Sequence, residues 1–305
     1  MHIYLPIAEM TIEAETIFLL SAFVGFLSGI FGVGGGFLTT PFLIFTGIPP
    51  VVAVGTQASQ LVASSVTGAL GHFRRGNVDI KMGLVMLIGG ILGTLVGIFI
   101  FKALQYTGQI DLAVSLLYIT LLGIIGSLML FESFSAFFKK KKKTVSKEFN
   151  TYRMSSFVHA LPYKMRFPRS KLYISAFVPG GIGFISGILA SVLGIGGGFI
   201  LVPAMIYILG MPILLVAGTS LFQIIFTAAS ATILHASLNH TVDIILALVL
   251  IVGGVIGAQI GVVLARFVKG NYARMFLSVL IMLVCIRLGA DLFMQPTDLF
   301  STVVR

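Results

Sequence analysis

Two runs of contiguous glycine limit what this chain can become. One is Gly32-Val33-Gly34-Gly35-Gly36-Phe37 followed by Pro41; the other is Gly194-Ile195-Gly196-Gly197-Gly198-Phe199 followed by Pro203. Each lies in a long apolar stretch that otherwise reads as helix. Glycine in a helix costs roughly 0.5–1 kcal/mol relative to alanine, because it loses the most backbone freedom on ordering. Three in a row break the helix and free N–H and C=O groups that hydrocarbon cannot satisfy. Irregular backbone persists at membrane depth only where protein buries it or where it lines a polar cavity. The two runs are therefore read as the functional centre.

Composition makes the surrounding stretches membrane segments. Of 305 residues, 57% are hydrophobic and 10% charged, whereas soluble domains carry about a quarter charged residues. Apolar runs of about twenty residues, long enough to span a hydrocarbon layer of ~30 Å as helices, recur throughout. They fall at about 17–47, 51–72, 82–101, 111–138, 174–210, 212–236, 243–265 and 272–294. A β-barrel would show shorter, alternating segments instead. The single Cys285 excludes an intrachain disulfide and a cysteine metal cluster, and reads as packing. Residues 1–16 hold Glu9, Glu13 and Glu15 but no Lys or Arg, which argues against a cleaved signal peptide.

The net charge of +10 has one source: residues 139–171 contain eleven Lys and Arg against Glu148. Such a segment reads as a cytoplasmic linker that follows the positive-inside rule. Its Lys139–Lys143 cluster suits anionic lipid. No folded domain accompanies the charge, so nucleic acid is not an expected partner.

The linker separates two copies of one pattern. Gly25-Phe26-Leu27-Ser28-Gly29-Ile30 matches Gly183-Phe184-Ile185-Ser186-Gly187-Ile188, and the glycine runs align after a four-residue insertion. Further on, Gly55-Thr56 aligns with Gly218-Thr219, Gln60 with Gln223, His72 with His235, and Val78-Asp79-Ile80 with Val242-Asp243-Ile244. The loop at 73–81 carries Arg74, Arg75 and Lys81, whereas its counterpart at 236–242 carries no Lys or Arg; at 102–110 and 266–274 the bias reverses. Keeping the basic loops inside requires inverted copies. The expected fold is an all-α polytopic membrane protein of two homologous, inverted, four-segment repeats, each with a Gly-Gly-Gly-broken helix. The repeats span 1–138 and 172–305, with the N-terminus outside the cell membrane. Inversion needs an odd number of crossings per copy, which follows if 17–47 and 174–210 are re-entrant; eight full crossings in parallel copies is the alternative.

A helix beginning at Phe37 or Phe199 presents unpartnered N–H groups at the positive end of its dipole, and bordering glycines let an anion approach closely. Gly34, Gly35, Gly36 and Phe37, with Gly196, Gly197, Gly198 and Phe199, are thus candidate substrate-binding residues. An alanine at Gly35 or Gly197 is then expected to put a Cβ where the ligand approaches. The alternative is that the glycines only permit close packing. On the next helix Thr56, Gln60, Ser64 and Thr67 share one face, repeated as Thr219, Gln223, Thr227 and Ser230. They read either as substrate lining, with Thr56, Gln60, Thr219 and Gln223 foremost, or as interhelical hydrogen bonding. Gln57 and Ser59 add polarity in the first copy only. His72 and His235, at the ends of these faces, are candidates for proton or substrate coupling. Arg287 and Asp291 are i,i+4 on the last segment and should pair. No metal cluster, cofactor motif or ATP-binding motif is present, nor the nucleophile or carboxylate pair of an enzyme.

The paired glycine motif with its proline, the duplication, and the strings Leu161-Pro162-Tyr163-Lys164-Met165-Arg166-Phe167-Pro168 and Val202-Pro203-Ala204-Met205-Ile206-Tyr207 resemble the TauE/SafE sulfite exporter family over roughly 17–290. The resemblance implies a permease that moves small anions such as sulfite or organosulfonates outward. The combined expectation is a secondary exporter working by alternating access, with an anion channel of the same architecture as the alternative.

Overall fold

A computed structural model describes residues 2–31, 34–138, 162–264 and 270–293. The Lys139–Lys143 cluster lies outside them. The helices are α1 (Ala14–Phe31), α2 (Gly36–Phe45), α3 (Pro50–Arg74), α4 (Ile80–Tyr106), α5 (Ile110–Phe138), α6 (Phe177–Leu193), α7 (Gly198–Tyr207), α8 (Ile213–Leu234), α9 (Ile244–Leu264) and α10 (Gly270–Phe293). A π-helical turn, His235–Asn239, extends α8. Among the described residues, five stretches are long and apolar enough to cross a membrane; they lie in α4, α5, α8, α9 and α10. This is an all-α membrane protein. Both glycine runs break their helices as expected, although α2 and α7 start at Gly36 and Gly198, one residue before the phenylalanines.

Each copy begins with a small antiparallel hairpin that hydropathy does not reveal. Strand β1 (His2–Leu5) pairs with β2 (Met10–Glu13), and β3 (Lys164–Phe167) with β4 (Leu172–Ser175). The turns are Pro6-Ile7-Ala8-Glu9 and Pro168-Arg169-Ser170-Lys171, and Glu9 and Lys171 both adopt a left-handed φ of 53°. Residues 164–171, read from sequence as the end of the linker, thus form the second hairpin.

Two compact units are formed: Met1–Asp111 with Lys141–Val268, and Leu112–Lys140 with Lys269–Arg305. In the first unit the two copies exchange partners. Helix α1 packs along α9, and its equivalent α6 packs along α4. Spaced glycines make both contacts backbone-close, as small residues do in membrane helix pairs. A Cβ at Gly93 would fall on the Phe184 carbonyl, and one at Gly257 on the Ala22 carbonyl. Helices α3 and α8 pack on each other, with Gly68 against Leu221 and His72 against Gly218.

Two buried carboxylates fasten the hairpins to this frame. Asp79 caps α4 by accepting from the Met82 amide (3.1 Å), and its other oxygen accepts from the amide and hydroxyl of Ser170 at a hairpin tip. Asp243 does the same for α9, accepting from the Leu246 amide (3.1 Å) and from the Ile7 amide (3.0 Å) of the first hairpin. A charged acceptor at a helix N-terminus satisfies otherwise orphaned donors and complements the dipole. Apolar hairpin residues anchor beside them: Leu5 packs with Leu43, Leu246 and Leu250, and Phe167 with Met82, Met86 and Leu201.

The second unit contains α5 beyond Asp111 together with α10. Gly126 faces Ile281 and Met282. The half-buried Cys285 donates to the Ile119 carbonyl at 3.4 Å, in keeping with a packing role. Arg287 and Asp291 pair at 3.5 Å on an exposed face, also as expected.

Gly257→Ala should test the backbone-close contact. Its Cβ would overlap the Ala22 carbonyl and lie 2.8 Å from the Phe26 amide nitrogen. A destabilisation of about 1–3 kcal/mol or more is expected from overpacking, read as a lowered unfolding midpoint in detergent. Gly181→Ala, whose Cβ would meet nothing within 4 Å, should leave the midpoint unchanged.

Candidate functional site

The chain reverses at each glycine run. Were α1 to continue as a helix, Gly35 would lie about 10 Å beyond Ser28, at 1.5 Å per residue. Instead a Cβ at Gly35 would come within 3.1 Å of the Ser28 Cβ and 3.2 Å of Val24. The second run repeats this, with a Cβ at Gly197 falling 2.7 Å from the Ser186 Cβ. Reversal needs left-handed backbone, and Gly34, Gly35, Gly194, Gly196 and Gly197 all have φ between 69° and 87°. Only glycine adopts such values routinely. The free direction at Gly35 and Gly197 therefore faces α1 and α6, and not a ligand. Alanine there strains the turn and crowds a neighbouring helix, so these substitutions act first on the fold.

The two breaks meet. A Cβ at Gly36 would lie 2.9 Å from the Gly194 carbonyl oxygen and 3.1 Å from the Ile195 carbonyl carbon. Beside them Phe37 and Phe199 stack, with centroids 4.5 Å apart and planes inclined by 14°. Leu61 and Ile224, equivalent residues of α3 and α8, both contact Gly34 and Gly196. Aromatic and aliphatic side chains thus close the junction from each copy.

Helix α7 starts with unpartnered donors. The amides of Ile200 and Leu201 bond to the Gly197 carbonyl at 3.1 and 2.9 Å, whereas those of Gly198 and Phe199 have no backbone partner among the described residues. Pro41 and Pro203 lack the N–H that would reach the Phe37 and Phe199 carbonyls four residues back.

The polar faces of α3 and α8 are used elsewhere. The Thr56 hydroxyl accepts from the Asp243 amide and the Thr219 hydroxyl from the Asp79 amide, each at 3.0 Å. Gln60 donates to Ser21 at 2.8 Å, and Gln223 to Ser186 at 3.1 Å. Each serine gives its own proton to a backbone carbonyl, Leu250 and Gly183 respectively. The serines must therefore accept, which fixes both amide orientations. Ser64, Thr67 and Thr227 bond to carbonyls of their own helices. What remains at Gln60 and Gln223 is a buried, unpartnered Oε1 on each.

The histidines differ from one another. His235 is buried: its Nε2 donates to the Ser191 carbonyl at 2.8 Å, its Nδ1 faces Asn239 Nδ2 at 3.2 Å, and Phe101 packs edge-on at 4.7 Å. His72 sits half-buried at the end of α3, its Nδ1 unpartnered. Among the described residues no cluster of His, Cys, Asp or Glu could hold a metal.

Two further buried polar groups lie on the helices that meet the breaks, Gln57 on α3 and Thr40 on α2; sequence reasoning notes the polarity of Gln57 but assigns neither to the site. Val54, Gln57 and Leu61 lie three and four residues apart on one side of α3. The Val54 backbone abuts Gly194, and Leu61 abuts Gly36 and Gly196. Gln57 between them is 0% exposed, with neither amide atom partnered. The Thr40 hydroxyl is likewise buried and unpartnered, 3.4 Å from where a Gly194 Cβ would be. In the sequence the signal for Gln57 is the 54-57-61 spacing on α3, which the more regular Thr56–Thr67 line obscures.

The family model described as sulfite exporter TauE/SafE matches residues 17–288. A probable membrane transporter protein of Bacillus subtilis (strain 168), YunE, is 25% identical over 87% of this chain and 93% of its own length. A probable membrane transporter protein of Xylella fastidiosa (strain 9a5c) is 29% identical over 84% of this chain and 87% of its own. A sulfite exporter TauE/SafE family protein 5 of Arabidopsis thaliana is 30% identical over 31% of the chain. No solved structure matches significantly.

Thr56→Val and Thr219→Val keep side-chain shape but leave the Asp243 or Asp79 amide buried without an acceptor. Each should lower stability by about 1–3 kcal/mol, measured as a shift of the thermal unfolding midpoint. An unchanged midpoint in both would remove these bonds from the frame.

Proposed function

Since the chain belongs to the TauE/SafE sulfite exporter family, and is thus a membrane transporter and not an enzyme, we propose that it exports a small anion, sulfite or an organosulfonate, by alternating access between two inverted repeats. The observation that carries this reading is the meeting of the two helix breaks, Gly36 against Gly194, beside the unpartnered amides at the start of α7. Discontinuous helices that aim N-termini at anionic groups near the midplane recur in secondary transporters. The stacked Phe37–Phe199 pair and the Leu61–Ile224 contacts keep the junction closed on itself. Closure favours a carrier, which opens to one side at a time, over a standing anion pore.

Two observations support inversion. The end of α3, at His72, contacts the start of α8 at Gly218, while Gly55 at the start of α3 contacts Thr241 just beyond the α8 extension. Equivalent helices thus run in opposite directions. Their ends also differ in charge. Lys81 donates to the Arg166 carbonyl, and Arg169 donates to the carbonyls of Gly76 and Val78, bringing two basic loops together. The matching end, where Ile7 meets Asp243, draws on residues 2–13 and 236–243, which contain no Lys or Arg. The positive-inside rule assigns the basic end to the cytoplasm.

Two measurements test the reading. Cells expressing the chain should release sulfite faster than cells without it; unitary anion currents in a planar bilayer would replace the carrier with a channel. For orientation, Arg75→Cys and Ser237→Cys in a Cys285→Ser background place single thiols at exposed, repeat-equivalent ends. An impermeant maleimide should label only Ser237→Cys on intact cells, and equal labelling of both would overturn inversion.

A further inference from the structure

The two breaks are equivalent in backbone but not in side chains. Thr40 stands beside Gly194 of the second break, and Gln57 lies on α3 between Val54 and Leu61, which abut Gly194 and Gly196; the counterparts of Gln57 and Thr40 in the other copy are Ser220 and Val202. The Ser220 hydroxyl donates to the Ala217 carbonyl on its own helix at 3.0 Å, and Val202 has no polar side-chain atom. A buried amide or hydroxyl without a partner costs about 1–3 kcal/mol, and such groups are uncommon in native proteins unless something else satisfies them. Here Gln57 leaves Nε2 and Oε1 both unsatisfied at 0% exposure, and Thr40 Oγ1 and the backbone amides of Gly198 and Phe199 are also without a partner among the described residues. Neither counterpart side chain is a buried group left unsatisfied, although the Phe37 amide at the start of α2 also has no backbone partner among the described residues.

We propose that Gln57 and Thr40 are the selective groups of the anion site, and that they choose a singly charged oxyanion carrying one hydrogen-bond donor of its own. This rests on the anion-export reading above and extends it to a ligand class. The chemistry follows from the inventory of groups. Two Gln57 N–H bonds, the Thr40 hydroxyl and two backbone amides supply up to five donors for oxyanion oxygens. The Gln57 Oε1 is an acceptor that a fully deprotonated anion cannot satisfy, whereas an O–H or N–H on the ligand can. Thr40, Val54, Gln57, Leu61 and residues 194–199 carry no charge. The dipole at the start of α7 contributes only about half an elementary charge. Neutral donors and a dipole can balance one negative charge in a dry site; a dianion would stay largely uncompensated there, at a steep desolvation cost.

The asymmetry also assigns a role to the first break. That break supplies the stacking partner Phe37, while apolar Val202 and self-bonded Ser220 hold the positions that match Thr40 and Gln57. Selection is then a property of one repeat, and the matching residue of the other should be replaceable without consequence for it.

The test uses full-length purified protein and four probes at one pH near neutrality: sulfite, hydroxymethanesulfonate (a monoanion with an O–H), methanesulfonate (a monoanion without a donor) and sulfate (a dianion). Affinity is read by calorimetry and by ligand-induced shift of the unfolding midpoint. Wild-type protein should bind hydroxymethanesulfonate more tightly than methanesulfonate, and sulfate most weakly. Gln57→Met, close in shape but without the amide, should lose about tenfold in sulfite affinity and all preference between the two sulfonates. Because it removes an unsatisfied buried group, its ligand-free midpoint should rise by about 2–4 °C. A residue that merely held the fold together would give the opposite sign. Ser220→Ala should keep the wild-type order of affinities. Gln57→Met that binds like wild type, or sulfate bound as tightly as the monoanions, would overturn this inference while leaving anion export standing. Wild-type protein that binds no probe and releases no sulfite from cells would overturn both.

Discussion

Backbone polar groups cannot be left unpaired in hydrocarbon, and the architecture follows from where this chain leaves them so. Two glycine runs interrupt apolar helices, and hydrocarbon could not satisfy the backbone groups they free. The protein answers by turning each chain back on itself, so that Gly35 lies against α1 and Gly197 against α6. It then places the two interruptions against one another. Irregular backbone from one copy thereby becomes the wall for irregular backbone from the other, and most of the exposed polarity is enclosed. Among the groups left buried without a partner are the amides of Phe37, Gly198 and Phe199 and the side chains of Thr40 and Gln57.

Holding two breaks together requires a rigid frame, and here the frame is built by exchange between copies. Helix α1 packs on α9 and α6 on α4 with so little space that a single methyl group would collide with facing carbonyls. Close backbone approach gives membrane helices their packing energy, since lipid supplies no hydrophobic drive for helices to associate. The residues on α3 and α8 that looked poised for substrate help to lock this frame. Thr56 and Thr219 bond the loop ahead of the other copy's fourth helix, and Gln60 and Gln223 tie down serines on α1 and α6. Asp79 and Asp243 complete it by capping α4 and α9 and holding the two hairpin tips.

Symmetry of the frame and asymmetry of its centre serve different ends. On the alternating-access reading proposed above, two copies with interchangeable packings give the two end states similar energies. A ligand has no such symmetry. The first copy carries an unpartnered amide and hydroxyl where the second has a self-bonded serine and a valine, and the proposed ligand site draws on that difference.

The sequence by itself determined the membrane class, the duplication, the two helix breaks and the opposed charge of equivalent loops. All of these are written in local composition: apolar run length, glycine contiguity and the position of Lys and Arg. It also determined the Arg287–Asp291 pair, which is set by helical spacing alone. Only the tertiary structure decided which helix packs on which, because an apolar face with spaced glycines on α1 fits α4 and α9 equally well on paper. It likewise decided that residues 2–13 and 164–175 are hairpins, since strands of four residues carry too little periodicity to read. The role of the polar residues was decided there too. Periodicity places Thr56 and Gln60 on one face of α3 and Gln57 on the next, but which face meets the glycine break depends on the rotation of that helix. Rotation is fixed by packing over the whole first unit, and no stretch of sequence records it.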